Sequence, residues 1–253
     1  MNSTAVAAAF FACIVVGTIA GAILRTRLSE DHLHPDSKDV IKMAVGLIAT
    51  LSALVLGLLI ATAKTSFDAR SSQVREITSN IVLLDQLLAQ YGSEANAARS
   101  ELRLGLQFMV DRIWDENRAG EKNQNPFHAS NEATTFIQGL SRLNGEDGFH
   151  RELKAKILQV TTEIARDRLT LYVQSSDTIS MPFLIILSFW LMVIFAIFGL
   201  LARLNALVAF IMLLCAISVS AAIFLILDLN RPFEGLMQIP SGQIRNALPP
   251  LNG

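Results

Sequence analysis

Four stretches of the chain carry no charged residue: Met1–Leu24, Met43–Ala63, Thr178–Ala202 and Leu204–Leu227. A helix needs about 20 mostly apolar residues to cross the hydrocarbon core of a bilayer. All four stretches reach that length, so the pattern predicts four transmembrane helices. Lys42 and Lys64 bracket the second stretch, as snorkelling residues at two interfaces would. The first stretch has the length of a signal peptide but not its form. Its opening Met1-Asn2-Ser3-Thr4 lacks Lys or Arg, and the apolar run outlasts the usual core of about 7–15 residues. A retained helix is expected there.

The polar segments set the connections. Arg25–Ile41 is a short loop between the first two spans, and only Arg203-Leu204-Asn205 separates the last two, which predicts a tight antiparallel hairpin. Between the hairpins, Phe67, Val74, Ile77, Ile81, Leu84, Leu88 and Tyr91 follow at intervals of 7, 3, 4, 3, 4 and 3. That is a helical stripe of heptad type. No Gly or Pro interrupts Leu58–Tyr91, so the second span is expected to run on as one long helix, roughly 40 Å beyond the membrane surface at 1.5 Å per residue. Gly92 is expected to end it and Ser93 to cap the next helix. That helix carries Ala98, Leu102, Leu106, Met109 and Ile113 on one face.

A polar stretch with Pro126 reads as a loop. Ser130 or Asn131 then opens a helix with Phe136, Ile137, Leu140 and Leu143 on its apolar face. Asn144–Gly148 is a turn. A last helix places Leu153, Ile157, Val160, Ile164 and Leu171 on its stripe and leads to Ser180-Met181-Pro182 at the start of the third span. These stripes predict an antiparallel bundle core, with room on the long helices for a seam between subunits.

The expected fold is therefore all-α: an integral membrane protein with four transmembrane helices in two hairpins and an inserted extramembrane helical bundle. The expected division is residues 1–64 for the first hairpin, 65–177 for the helical domain, 178–230 for the second hairpin and 231–253 for a C-terminal tail. In that tail Ser241 is a candidate N-cap, and Ile244 and Leu248 give a short amphipathic turn.

Composition narrows the function. Only 17% of the 253 residues are charged and 52% are hydrophobic, against about 25% and 45–50% in soluble domains. The net charge of −1 supplies no basic field for nucleic acid. The two cysteines, Cys13 and Cys215, both lie in apolar stretches and read as packing residues. The spans hold no Asp, Glu, Lys, Arg or His, which argues against proton relays and coupled carriers. A channel can still conduct past carbonyls, hydroxyls or an apolar constriction.

Candidate positions follow from residue size and polarity. Ala5, Ala9, Cys13, Gly17 and Gly21 form one stripe of small residues, and Ala49, Ala53, Gly57 and Ala61 another. Such stripes let helix backbones approach closely, within or between subunits. Thr18, Thr50, Ser52, Thr62, Ser188, Ser218 and Ser220 are the hydroxyls available to a pore wall, although helical Ser and Thr commonly bond the preceding turn. The loop from Glu30 to Asp36 gathers His32 and His34 with three carboxylates. It reads as a solvated loop, with a metal or a pH response as the sharper alternative. No phosphate-binding Gly loop, triad motif or zinc spacing occurs, so no enzyme and no cofactor are expected. At the end of the fourth span Asp228 and Arg231 stand three apart, followed by Pro232. They can pair with each other, or Arg231 can reach headgroups.

A resemblance is carried by Pro182-Phe183-Leu184, Phe189-Trp190-Leu191, Phe198-Gly199-Leu200, Asn205-Ala206, the run Ala221–Leu227, and Arg231-Pro232-Phe233-Glu234-Gly235 with Arg245 and Ala247-Leu248. Phe67-Asp68-Ala69-Arg70 after the second span also fits. These residues resemble the bestrophin-like domain family of bacterial membrane proteins. The resemblance marks Asp228, Arg231, Pro232, Phe233 and Arg245 as motif positions and implies a bacterial inner membrane. It also implies kinship with bestrophins, which are pentameric anion channels with helices extending into the cytoplasm. The chain departs from bestrophins in lacking a recognisable neck or calcium-clasp motif.

Basic residues in the short loops (Arg25, Arg27, Lys38, Lys42 and Arg203) favour the helical domain outside the cytoplasm, whereas the resemblance places it inside. The orientation is close to a tie, leaning cytoplasmic. The leading functional expectation is a homo-oligomeric ion channel for inorganic anions in a lipid bilayer. The alternative is a non-conducting membrane sensor or scaffold acting through the helical domain.

Overall fold

A computed structural model of the chain describes residues 3–27, 35–114, 131–141, 143, 147–175, 181–202, 205–233 and 235–247. Among the described residues all regular structure is helical. The elements are α1 (Ser3–Arg27), α2 (Pro35–Tyr91), a 3-10 turn (Ser93–Ala95), α3 (Asn96–Trp114), α4 (Asn131–Ser141), α5 (Gly148–Ser175), α6 (Met181–Leu201), α7 (Ala206–Leu229) and α8 (Gly242–Arg245). Four of them, α1, α2, α6 and α7, include windows long and apolar enough to cross a membrane.

The chain divides into two compact units. One comprises Met1–Phe67 with Ile179–Arg231, and the other Asp68–Thr178 with Pro232–Gly253. The membrane unit packs α1 against α6 and α7. Its core contains Phe10 and Ile14 from α1, Val45 from α2, Leu187, Leu191 and Ile194 from α6, and Ala216 and Ile223 from α7. A second cluster joins Ala63 of α2 to Ile226 and Leu229 near the end of α7. Arg25, in the last turn of α1, donates a 3.4 Å hydrogen bond to the carbonyl of Leu201, placing a cation at the negative end of α6. The start of α7 is capped by Asn205, whose extended backbone lets its side chain accept from the Val208 amide at 2.8 Å.

α2 is one helix of 57 residues, about 85 Å long at 1.5 Å per residue. Its uninterrupted course from the apolar stretch into the polar one matches the sequence reading. Gly92 ends it at φ 100°, a left-handed conformation that costs a glycine little. The 3-10 turn then intervenes, so Ser93 opens that turn and does not stand directly before α3, which begins at Asn96.

The helical unit is held by the stripes. Val74, Ile77, Ile81, Leu84, Leu88 and Tyr91 are all buried. The lower part of that stripe meets Ala98, Leu140, Leu143, Leu153, Ile157 and Val160 in one core. Ile137 does not join them; it is 55% exposed, because α4 turns Phe136 and Leu140 inward instead. Ser241 stands before α8 with helical backbone angles and no side-chain cap, so the expected cap is not made. Ile244 is buried. Ser130, Ser180, Arg203, Glu234 and Leu248 lie outside the described residues, as do His32 and His34.

Candidate functional site

The glycines of the membrane unit fall into two groups. Gly17 and Gly21 of α1 are buried at the crossing with α6. A methyl group on Gly17 would stand 2.8 Å from the Met192 carbonyl oxygen, and one on Gly21 would run into the Ala196 carbonyl. From the other side, a methyl group on Gly199 would meet the Thr18 carbonyl. Backbone lies directly on backbone here, as small residues four apart permit. Gly17 and Gly21 therefore pack the subunit internally. Gly199 is the partner that a search for spaced small residues does not single out, because it stands alone in α6.

The second stripe is placed differently. Ala49 is partly buried against the core of the membrane unit, whereas Ala53, Gly57 and Ala61, with Gly46 and Thr50 beside them, lie on the exposed side of α2. Nothing approaches within 4 Å of a methyl group built on Gly46 or Gly57. Leu47, Leu51, Leu54 and Leu58 flank this strip and are exposed as well. The result is a narrow band of backbone, small side chains and hydroxyls, bordered by leucines, that none of the described helices covers.

The hydroxyls also separate into classes. Thr18, Thr50, Ser52, Thr62 and Ser218 each donate to the carbonyl four residues earlier, at 2.8–3.0 Å. This satisfies them inside hydrocarbon without a partner from another helix. Ser188 faces Cys13 Sγ at 3.7 Å, and both cysteines are free. Ser220 is buried yet has no hydrogen-bond partner. It lines an apolar groove of about 550 Å³ with Ala7, Ala8 and Phe11 of α1 and Ile217, Ala221 and Phe224 of α7.

The end of α7 lies deeper than the uncharged stretch suggests. The helix continues past Leu227, and Asp228 is only 3% exposed. The Arg231 amide closes the turn on the Asp228 carbonyl at 2.9 Å. Asp228, Asn230 and Arg231 all take part in interactions, as buried polar groups must. At the other side of the unit boundary, Pro232 and Phe233 belong to the helical unit. There the Pro232 carbonyl accepts from the Ile239 amide at 2.7 Å, and Phe233 stacks edge-on against Trp114, with centroids 5.3 Å apart at 87°. Arg245 closes α8 and is also engaged.

Within the helical unit one ion cluster stands out. Arg99 of α3 makes a two-pronged contact with Asp85 of α2 at 3.1 and 2.9 Å, and Arg103 approaches the same carboxylate at 3.4 Å. Burial by itself would raise the Asp85 carboxyl, but hydrogen bonds and charge from Arg99, then Arg103, outweigh it and hold the group below its usual range. The sequence hides this cluster because its members are 14 and 18 residues apart on two helices. Asp85 interrupting an apolar helix face was the available signal. Among the described residues no three His, Cys, Asp or Glu side chains group as a metal site.

No curated protein and no solved structure matches the chain. A family model of the bestrophin-like domain matches residues 12–243, nearly the whole chain, and the protein belongs to the bestrophin-like family.

Proposed function

We propose that copies of the chain assemble around an axis lined by α2 and conduct ions. The observation that carries this reading is the uncovered strip Gly46, Thr50, Ala53, Gly57 and Ala61 on α2. Lipid has no need of such a strip, whereas a wall of small side chains, hydroxyls and apolar constrictions suits a pore. The family supports a channel-type function in a membrane. The preference for inorganic anions rests on the kinship with bestrophins.

In this reading the partners are lipid and further copies of the same chain. There is no nucleic acid, no cofactor and no enzymatic turnover. The protein resides in a bacterial inner membrane, with the helical unit in the cytoplasm. Purified protein in liposomes is expected to carry a chloride flux. Absence of flux at every gradient, voltage and pH tried, with a monomer in lipid, would overturn the proposal in favour of a non-conducting sensor or scaffold.

A further inference from the structure

Ser220 of α7 is 8% exposed, and its buried hydroxyl has no hydrogen-bond partner among the described residues. Ser218, two residues earlier, closes instead on the Leu214 carbonyl at 2.9 Å. Ser220 lines the groove between α1 and α7 with the small side chains Ala7, Ala8 and Ala221 and the rings of Phe11 and Phe224. Ala8 and Ala221 are exposed, so the groove opens outward. Ser220 stands about 12 Å along α7 from Asp228, the first charge beyond the span, at 1.5 Å per residue. At that depth water is absent and an unmet polar group is costly. An acyl chain brings it no acceptor. Outside the four uncharged stretches, the sequence has no segment long and apolar enough to enter hydrocarbon. A helix from another molecule does bring acceptors, because each backbone carbonyl has two lone pairs.

α2 carries a ridge at the same level. By helical period its exposed half divides into two strips. One is Gly46, Thr50, Ala53, Gly57 and Ala61; beside it run Leu47, Leu51, Leu54 and Leu58, spaced 4, 3 and 4. Leucines so spaced are the knobs of a helix that packs into the hollows of its neighbours. Ala63 of α2 clusters with Ile226 and Leu229 of α7, so Lys64 and Asp228 mark one depth. From there Leu58 and Leu54 stand about 9 and 15 Å into the membrane, and Phe224, Ser220 and Ile217 about 6, 12 and 16 Å. Groove and ridge span the same layer. An assembly axis along the membrane normal keeps every residue at its depth, and a contact between two unlike patches closes head to tail into a ring.

We propose that the groove between α1 and α7 receives the leucine ridge of α2 from a second copy of the chain, in a contact repeated around a ring. This rests on the assembly of copies around α2 and names the contact that makes it. Leu54 and Leu58 fill the hollow beside Ala8 and Ala221, and Ser220 donates to a carbonyl of the incoming helix. Gly57 stands at that level, about 10 Å from Lys64, and leaves the α2 backbone unscreened. The small-residue strip stays turned to the axis.

Cross-linking of the full-length protein in its membrane tests the contact. Cys13 and Cys215, both free, are first replaced by alanine. Leu58→Cys and Ala221→Cys then lie about 9 and 10 Å deep, at exposed positions. Together in one chain they are expected to give, under mild oxidation, a ladder of covalent products beyond the dimer. Each alone is expected to give none, as is Leu47→Cys with Ala221→Cys, which differ by about 15 Å in depth. Ala221→Trp fills the groove from an exposed position and is expected to weaken association at least about tenfold. Ala8→Trp serves if that variant folds poorly. No ladder from the matched pair, a dimer from either cysteine alone, or native association of the tryptophan variants would overturn the contact, the last leaving the groove to lipid. Cross-linking reads contact and not flux. A ladder without flux keeps this contact and removes conduction, whereas flux without a ladder removes this contact and keeps conduction.

Discussion

The indole Nε1 of Trp114 donates a 2.7 Å hydrogen bond to the carbonyl of Ile239, 125 residues further along the chain. Ile239 is buried, and its own amide is spent on Pro232. One side chain at the end of α3 thus satisfies the backbone of the segment that follows the last span. Phe233 packs on the same indole, so the contact is both polar and apolar.

Trp114→Phe keeps an aromatic ring but removes the donor. The Ile239 carbonyl is then buried without its partner, at a cost of about 1–3 kcal/mol. The segment from Pro232 to Arg245 is expected to become more sensitive to limited proteolysis, while the membrane spans stay intact. Unchanged cleavage would show that the bond contributes nothing.

Gly21→Ala places a methyl group into the Ala196 carbonyl. Separation of α1 from α6 is expected to cost about 1–3 kcal/mol, the range of overpacked sites. Gly57→Ala meets nothing within 4 Å and relieves a helix-interior glycine, a gain of roughly 0.5–1 kcal/mol. Thermal unfolding in one detergent should rank Gly57→Ala at or above the native protein and Gly21→Ala well below it.

Ala53→Phe adds a large ring to the exposed strip of α2. Within one subunit it meets open space, so folding and expression are expected to be native. If α2 lines the passage, liposome flux falls at least about tenfold, because a pore is set by its narrowest ring of side chains. Native flux from a correctly inserted Ala53→Phe protein would remove α2 from the conduction path.

Asp85→Asn leaves two guanidinium groups facing a neutral amide. Breaking one partner of a buried pair is expected to cost about 3 kcal/mol, read from chemical denaturation of the protein in detergent. The native cluster has its own pH signature. Asp85 lies below 3.8 when folded, so its contribution is complete above that value and is lost as pH falls through the lower, folded one. Asp85→Asn should flatten that acid limb, and an unaltered limb would assign acid unfolding to other carboxylates.

The membrane spans were legible because absence of charge over about 20 residues has one common physical cause. The helical stripes were legible because burial of one face repeats every 3.6 residues. Both are local signals, read along a single helix. The long α2 was legible for the same reason, since nothing between Leu58 and Tyr91 could break it. Ile137 shows the limit: it fits the α4 stripe by spacing, yet the helix is rotated so that it faces out.

The sequence by itself determined that the protein is helical, that it crosses a membrane with four helices, and that one helix runs on from the second span. Each follows from hydrophobicity, period and the positions of Gly and Pro. Only the tertiary structure decided which small residues were already used. Gly17 and Gly21 are consumed by Gly199 and its neighbours in α6, whereas the strip on α2 is left open. It also joined Asp85 to Arg99 and Trp114 to Ile239. Such pairs depend on how helices cross and on which buried polar groups need a partner, and neither is written in the spacing of residues along one chain.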